Sequence, residues 1–187
     1  RFRIWRVTRK SHDLVCGLGW RGKALVDDEA KPNRLVVAID QQPDSSALAI
    51  CKFRKSPVLI EDACAAGAFR KIGIKNTRRA FICTGSDEVN MQVVHHLARA
   101  YAEAKRSTST LGGKLQQLFT RADEKTGNTS KTQLDEPSPI VCSVGLESPE
   151  NFVALRGVTP ETPDFDLRIF NTEAVTARLF LRENHID

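Results

Sequence analysis

Nowhere in this 187-residue chain is there a run of the roughly 18 to 20 apolar residues that a helix needs to cross a bilayer. Nor does it open with the charged, apolar and small-residue succession of a secretory signal, so the sequence reads as water-soluble. Cysteine is unpaired: Cys16, Cys51, Cys64, Cys83 and Cys142 make an odd set without paired spacing, and Cys16, Cys83 and Cys142 fall inside apolar runs. That excludes a disulfide framework and a zinc site of the paired-cysteine kind, and it points to a reducing compartment. His12, His95, His96 and His185 lack a cysteine or carboxylate partner at ligand spacing, so no metal centre is expected. No internal repeat of solenoid or propeller length is present. An initiator methionine is also missing, and the sequence reads as part of something longer.

Acidic residues are missing from the first ten positions. RFRIWRVTRK holds Arg1, Arg3, Arg6, Arg9 and Lys10, and these five account for the whole formal net charge of +5. The rest of the chain has as many acids as bases, which argues against a nucleic-acid partner. A short basic, aromatic-bearing leader over residues 1–11 suits a segment just below a membrane, facing anionic lipid; the plain alternative is a solvated tail. With 41% hydrophobic and 27% charged residues, the remaining 12–187 read as one globular domain with a sizeable core.

Short apolar runs alternate with longer helix-like stretches. Strands are expected at Asp13 to Cys16, Leu35 to Ile39, Pro57 to Ile60, Ala80 to Cys83, Ile140 to Val144 and Leu167 to Phe170. Helices are expected at Gly22 to Ala30, Asp44 to Phe53, Cys64 to Ile72, Asp87 to Lys105, Pro149 to Arg156 and Thr172 to Asn184. Such alternation predicts an α/β fold: a doubly wound, parallel, six-stranded sheet that binds ligands along the carboxyl edge of its strands. Residues 106–138 interrupt it. They hold no Val or Ile and are rich in Ser, Thr, Gly, Lys, Asp and Gln, which predicts a long flexible surface insertion between the fourth helix and the fifth strand. Within it, Leu111, Leu115, Leu118 and Phe119 have the spacing of a short docking helix.

The stretch LVCGLGWRGKAL carries the pattern GxGxxG at Gly17, Gly19 and Gly22, with Trp20 and Arg21 between the last two. The pattern gains weight from its surroundings. A strand precedes it, a helix follows, and Asp40 ends the next strand 18 residues after Gly22. Gly17 permits the tight turn, Gly19 lets backbone approach a phosphate, and Gly22 lets the helix lie on the sheet. Helix-start amides then offer donors and positive dipole to the phosphate. Asp40 can accept from both ribose hydroxyls and would repel a 2′-phosphate, which favours NAD(H) or an unmodified adenine nucleotide (ATP, ADP or AMP) over NADP.

The segments RLVVAID, PVLIEDACAAGAFRKIGI, RRAFICTGSDEVNMQVVHHLARAY and FDLRIFNTEAVTARLFL together resemble the N-lobe of the RCK or KTN (TrkA-N-like) family, cytosolic nucleotide-binding regulators of potassium channels and transporters. The resemblance implies that Asp40 takes the ribose, that Asp62 lies by the adenine amine, and that Thr84 and Gly85 close the pocket. Arg21 would add charge at the phosphate, and Asn90 matches a family position on the following helix. It also implies a homodimer or larger ring, with TEAVTARLFLREN at the subunit contact, attached to a membrane-embedded channel or transporter portion at the cytoplasmic face. Glu61 departs from the family's usual glycine and adds a negative charge near the expected base.

No catalytic residue is expected. Tyr101 and Lys105 in YAEAK have the Tyr-x-x-x-Lys spacing of short-chain dehydrogenases, which sets an NAD-dependent oxidoreductase as the alternative. The pair lies too close to the glycine loop for that family, and no serine stands about a dozen residues upstream. His95 and His96, adjacent on a helix, point in different directions. Cys16, Cys64 and Cys83 lack a partner histidine at a recognisable spacing. A ligand-free dimerisation module is the third possibility.

Overall fold

Leu14, Val15 and Cys16 are all fully buried, and so are Val37, Ala38 and Ile39, as strands covered on both faces must be. The computed structural model describes residues 9–123, 139–158 and 164–171, the side chains of 108–123 and of residue 158 excepted. These strands belong to one six-stranded sheet: β1 (His12–Cys16), β2 (Val36–Asp40), β3 (Val58–Ile60), β4 (Thr77–Ile82), β5 (Ile140–Leu146) and β6 (Phe165–Asn171). The order is β3-β2-β1-β4-β5-β6, and all neighbours run parallel. Helices α1 (Trp20–Glu29), α2 (Ser45–Phe53), α3 (Ala68–Ile72), α4 (Asp87–Asp123) and α5 (Pro149–Val158) connect them, with a 3-10 turn at Ile74–Asn76.

Two cores follow from the two faces. Leu14, Cys16, Val37 and Ile39 pack with Phe69, Ile72, Val93, Val94, Leu97 and Tyr101 under α3 and α4. On the other face Val15, Val36 and Ala38 pack with Val26 of α1 and with Ala47 and Cys51 of α2. The strand order reverses between β1 and β4, so the crevice at the switch point opens above the carboxyl ends of these two strands.

The expected doubly wound fold is the observed one, with shifted boundaries. Helix α1 starts at Trp20, so Gly22 lies inside it, and α3 is only Ala68–Ile72, because Cys64–Gly67 forms a turn entered through the side chain of Asp62. The larger difference is α4, which runs on to Asp123 where a helix ending at Lys105 was expected. The absence of Val and Ile from 106–123 does not oppose helicity, and its Leu, Lys, Gln and Arg residues are good helix formers. The rest of the expected insertion, 124–138, lies outside the described residues, as do residues 1–8 of the leader and the expected helix Thr172 to Asn184.

At the opposite, amino edge of the sheet, the sequence conceals a charged cluster. Asp13 has no exposed surface and accepts from Arg79 at 2.6 and 3.3 Å, with Arg78 and Arg34 at 3.8 and 3.9 Å. Glu29, at the end of α1, pairs with both Arg79 and Arg34. Beside it the buried His12 places Nδ1 2.9 Å from the Lys10 carbonyl and Nε2 3.0 Å from the Thr77 hydroxyl. Nδ1–H therefore donates to Lys10, and Nε2 accepts from Thr77: the neutral ring satisfies both partners. Burial lowers the His12 pKa from 6.5, against the raising effects of the Lys10 carbonyl and Asp13. Because the unfolded chain then binds more protons than the folded one, stability from His12 is intact above about pH 6.5 and is lost as pH falls through the folded pKa. Melting curves at pH 7.5 and near pH 5 should show this loss, and His12→Gln should flatten the dependence between them.

Candidate functional site

Gly17 follows β1 with φ +92°, and a Cβ there would stand 2.7 Å from the Cys83 carbonyl oxygen. Gly22 lies one turn into α1, where a Cβ would stand 1.9 Å from the Gly17 carbonyl oxygen. The loop is thus folded tightly between β1, β4 and α1. Gly19 differs, since a Cβ there would meet nothing within 4 Å. The protein alone does not require a glycine at that position, whereas a phosphate drawn to the loop would.

Asp40 ties this loop to its neighbour. Its Oδ2 accepts from Leu18 N at 2.5 Å and its Oδ1 from Gln42 N at 2.7 Å, so one carboxylate pins the middle of the glycine loop to the end of β2. A carboxylate offers about four lone-pair sites, and these bonds use two. The remaining two match the two hydroxyls of a ribose.

The cleft, of about 180 Å³, is lined by Gly17, Gly19, Asp40, Asp62, Thr84 and Gly85 among others. Six of the nine expected residues meet there. Trp20, Arg21 and Gly22 do not line it. Trp20 is exposed, Gly22 is buried in the packing of α1, and Arg21 lies over the Trp20 ring at 5.1 Å while pairing with Glu147 at 3.3 Å. A larger recess, of about 240 Å³, lies between α3 and α4 and shares no lining residue with the cleft.

Asp62 Oδ1 accepts from Cys64 N at 2.8 Å, which shapes the wall after β3. Glu61 is held by Lys71 of α3 at 2.6 and 2.7 Å, so a neighbouring cation compensates its charge. At the end of β4, Asn90 explains itself. Its buried Oδ1 accepts from Thr84 N at 2.8 Å and Thr84 Oγ1 at 2.7 Å, and its Nδ2 donates to the Gly145 carbonyl at 2.9 Å. One amide therefore locks the β4 and β5 ends together and fixes the Thr84 wall.

Two further residues escaped the sequence reading. Asp87 heads α4 and accepts from Glu147 N, Ser148 N and Asn151 Nδ2, at 2.9 to 3.0 Å. Burial opposes its charge, but these bonds and Arg21 together hold its carboxyl below the usual range. Glu147 is the second, as the partner of Arg21. Acids flanking Ser and Pro before helices were the available signal, and they specify caps without naming partners.

The pair of the alternative, oxidoreductase reading lies elsewhere. Lys105 pairs with Asp164, just before the amino end of β6, at 2.5 Å and sits 5.7 Å from the Tyr101 ring centre, so the pair occupies the amino edge, away from the glycine loop. Burial raises the Tyr101 pKa, and Lys105 only partly offsets it. Burial also pushes the Cys83 thiol up to about 12, which leaves little thiolate. His95 is exposed and His96 half-buried. Among the described residues no cluster of His, Cys, Asp or Glu could hold a metal, and no helix is long and apolar enough to cross a membrane.

The family model described as TrkA-N domain matches residues 14–123, more than half of the chain. The chain belongs to the TrkA-N family. TrkA-N domains are NAD(P)-binding domains related to the regulatory domains of potassium channels and transporters. No curated protein matches this TrkA-N chain. Among solved structures it resembles the NAD(P)-binding domain of an exopolyphosphatase-related protein from Archaeoglobus fulgidus: TM-score 0.58, 12% identity, 93% of this chain and 98% of that one covered. It also resembles the TrkA-N domain of the inner membrane protein YbaL from Escherichia coli, with TM-score 0.56, 10% identity and coverages of 92% and 96%. A GsuK mutant is similar with TM-score 0.53 and 14% identity over 91% of this TrkA-N chain and 33% of that protein. At such identities the likeness is one of fold.

Proposed function

We propose that this domain is a cytosolic regulatory module of a potassium or other ion channel or transporter, and that it senses NAD(H) or an adenine nucleotide in the cleft above β1 and β4. The observation that carries the reading is Asp40, whose carboxylate fastens the glycine loop and still has acceptor capacity for a ribose diol. Gly19 supports it, because the open space at its Cβ position is where a phosphate meets the first-turn amides of α1. Asp62 supplies an acceptor for the exocyclic amine of adenine.

Regulation needs no catalytic group. A ligand that binds one arrangement of a homodimer or ring more tightly shifts the population and moves what is attached. In this reading the basic leader joins the domain to its membrane portion at the cytoplasmic face.

Calorimetry with NAD(H), ATP, ADP, AMP and NADP tests the nucleotide step. At least one ligand without a 2′-phosphate is expected to bind, with NADP weaker than NAD. Asp40→Ala is expected to cost about a hundredfold in affinity, the equivalent of two charge-assisted hydrogen bonds of about 1.5 kcal/mol each. If none of these nucleotides binds or raises the melting temperature, the reading is wrong, and a dimer in sedimentation would then favour a ligand-free assembly module.

A further inference from the structure

Arg21 is the cation of the glycine loop, and its guanidinium faces a choice of partners. The Nη2 atom stands 3.3 Å from Glu147 Oε1, across from α1 to the turn between β5 and α5. The guanidinium also lies over the Trp20 ring, 5.1 Å from its centre. Glu147 is presented from a fixed backbone: its N–H donates to Asp87 at 3.0 Å and its carbonyl accepts from Asn171 Nδ2 at 3.1 Å. The two side chains keep 30% and 59% of their surface exposed, so the contact can be exchanged without unpacking a core. Arg21 is also close enough to affect the titration of Cys83, which lines the cleft, and of Asp87.

We infer that Glu147 is a specificity-determining residue for the nucleotide, competing with its phosphate for Arg21, although neither side chain lines the cleft in this structure. The inference rests on the nucleotide reading above. A phosphate held by the first-turn amides of α1 lies within one residue of Arg21, and a guanidinium that binds it bidentately gives up the single contact to Glu147. A ligand with no phosphate leaves the pair intact. A diphosphate, with more charge than one carboxylate, displaces Glu147 more readily than a monophosphate does. The turn at the head of α5 keeps its own bonds to Asp87 and Asn171, so the exchange changes the partner of Arg21 and not the backbone that presents Glu147.

The test is calorimetry with adenosine, AMP and ADP on the wild-type domain, Glu147→Gln, Arg21→Ala and the double variant, with melting curves to show that each is folded. Exposed ion pairs are worth up to about fivefold in an equilibrium constant. Glu147→Gln is therefore expected to tighten ADP about two- to fivefold and leave adenosine unchanged. In the Arg21→Ala background the same change should have no effect, because its partner is gone; a persistent gain there would mean a general charge effect and would overturn the inference. Equal ADP affinity in wild type and Glu147→Gln would overturn it too, while leaving the nucleotide site standing. Absence of binding by all three ligands in every variant would remove the nucleotide reading itself and this inference with it.

Discussion

Gly22→Ala is expected to lower the melting midpoint by about 10 °C or more, or to prevent folding. The added methyl would sit 1.9 Å from the Gly17 carbonyl oxygen and 2.9 Å from its carbon, and both are backbone atoms. Gly17 cannot retreat, because its N–H is bonded to Ile39 O at 2.9 Å and its own Cβ position is already filled by the Cys83 carbonyl. Relief must come from lifting α1, which withdraws the fully buried Val26 from Ala38 and Ala47. Overpacking of this kind, against atoms that cannot turn aside, costs about 4 kcal/mol, and each kcal/mol is about 2 to 4 °C for a domain of this size. Gly19→Ala provides the contrast. With nothing within 4 Å of its Cβ, it should cost about 1 kcal/mol or less in stability while weakening nucleotide binding, since the methyl enters the space a phosphate would use. A Gly22→Ala protein that melts within 2 to 3 °C or so of wild type would refute the packing account.

Arg79→Ala is the second large effect expected, at about 3 to 5 kcal/mol. Its partner Asp13 has no exposed surface, and Arg79 supplies both close contacts, with Arg34 and Arg78 no nearer than 3.8 Å. Removing the guanidinium strands a carboxylate in a site that water does not reach, and it also takes from Glu29 one of its two arginine partners. The charge, not the lost side-chain volume, should dominate. Adding Asp13→Asn to Arg79→Ala is therefore expected to recover part of the loss, as read by urea unfolding. If the double variant is less stable than Arg79→Ala alone, the stranded-charge explanation fails.

Much of the candidate cleft was legible in the chain, because the residues that form it are local to strand ends. A glycine pattern after an apolar run, followed by Asp40 at the end of the next run, needs only the strand period and the switch-point rule to be placed on one edge. Gly17, Gly19, Asp40, Asp62, Thr84 and Gly85 meet there. Arg21 was legible as a cation of the loop but not as the partner of Glu147, which is 126 residues away. Composition misled at 106–123: a lack of β-branched apolar residues speaks to burial, and the helix continues there all the same.

The sequence by itself determined the parallel sheet, the alternation of its elements and the edge at which a ligand can bind, because hydrophobic periodicity and glycine turns act over a few neighbouring residues. Only the tertiary structure decided who pairs with whom. It gave Asn90 the task of joining two strand ends, placed Lys71 against Glu61, sent Tyr101 and Lys105 to the amino edge, and buried Asp13 among arginines. A polar side chain is compatible with many partners until the chain closes. Among those partners, desolvation and hydrogen-bond geometry select the pairs that are kept.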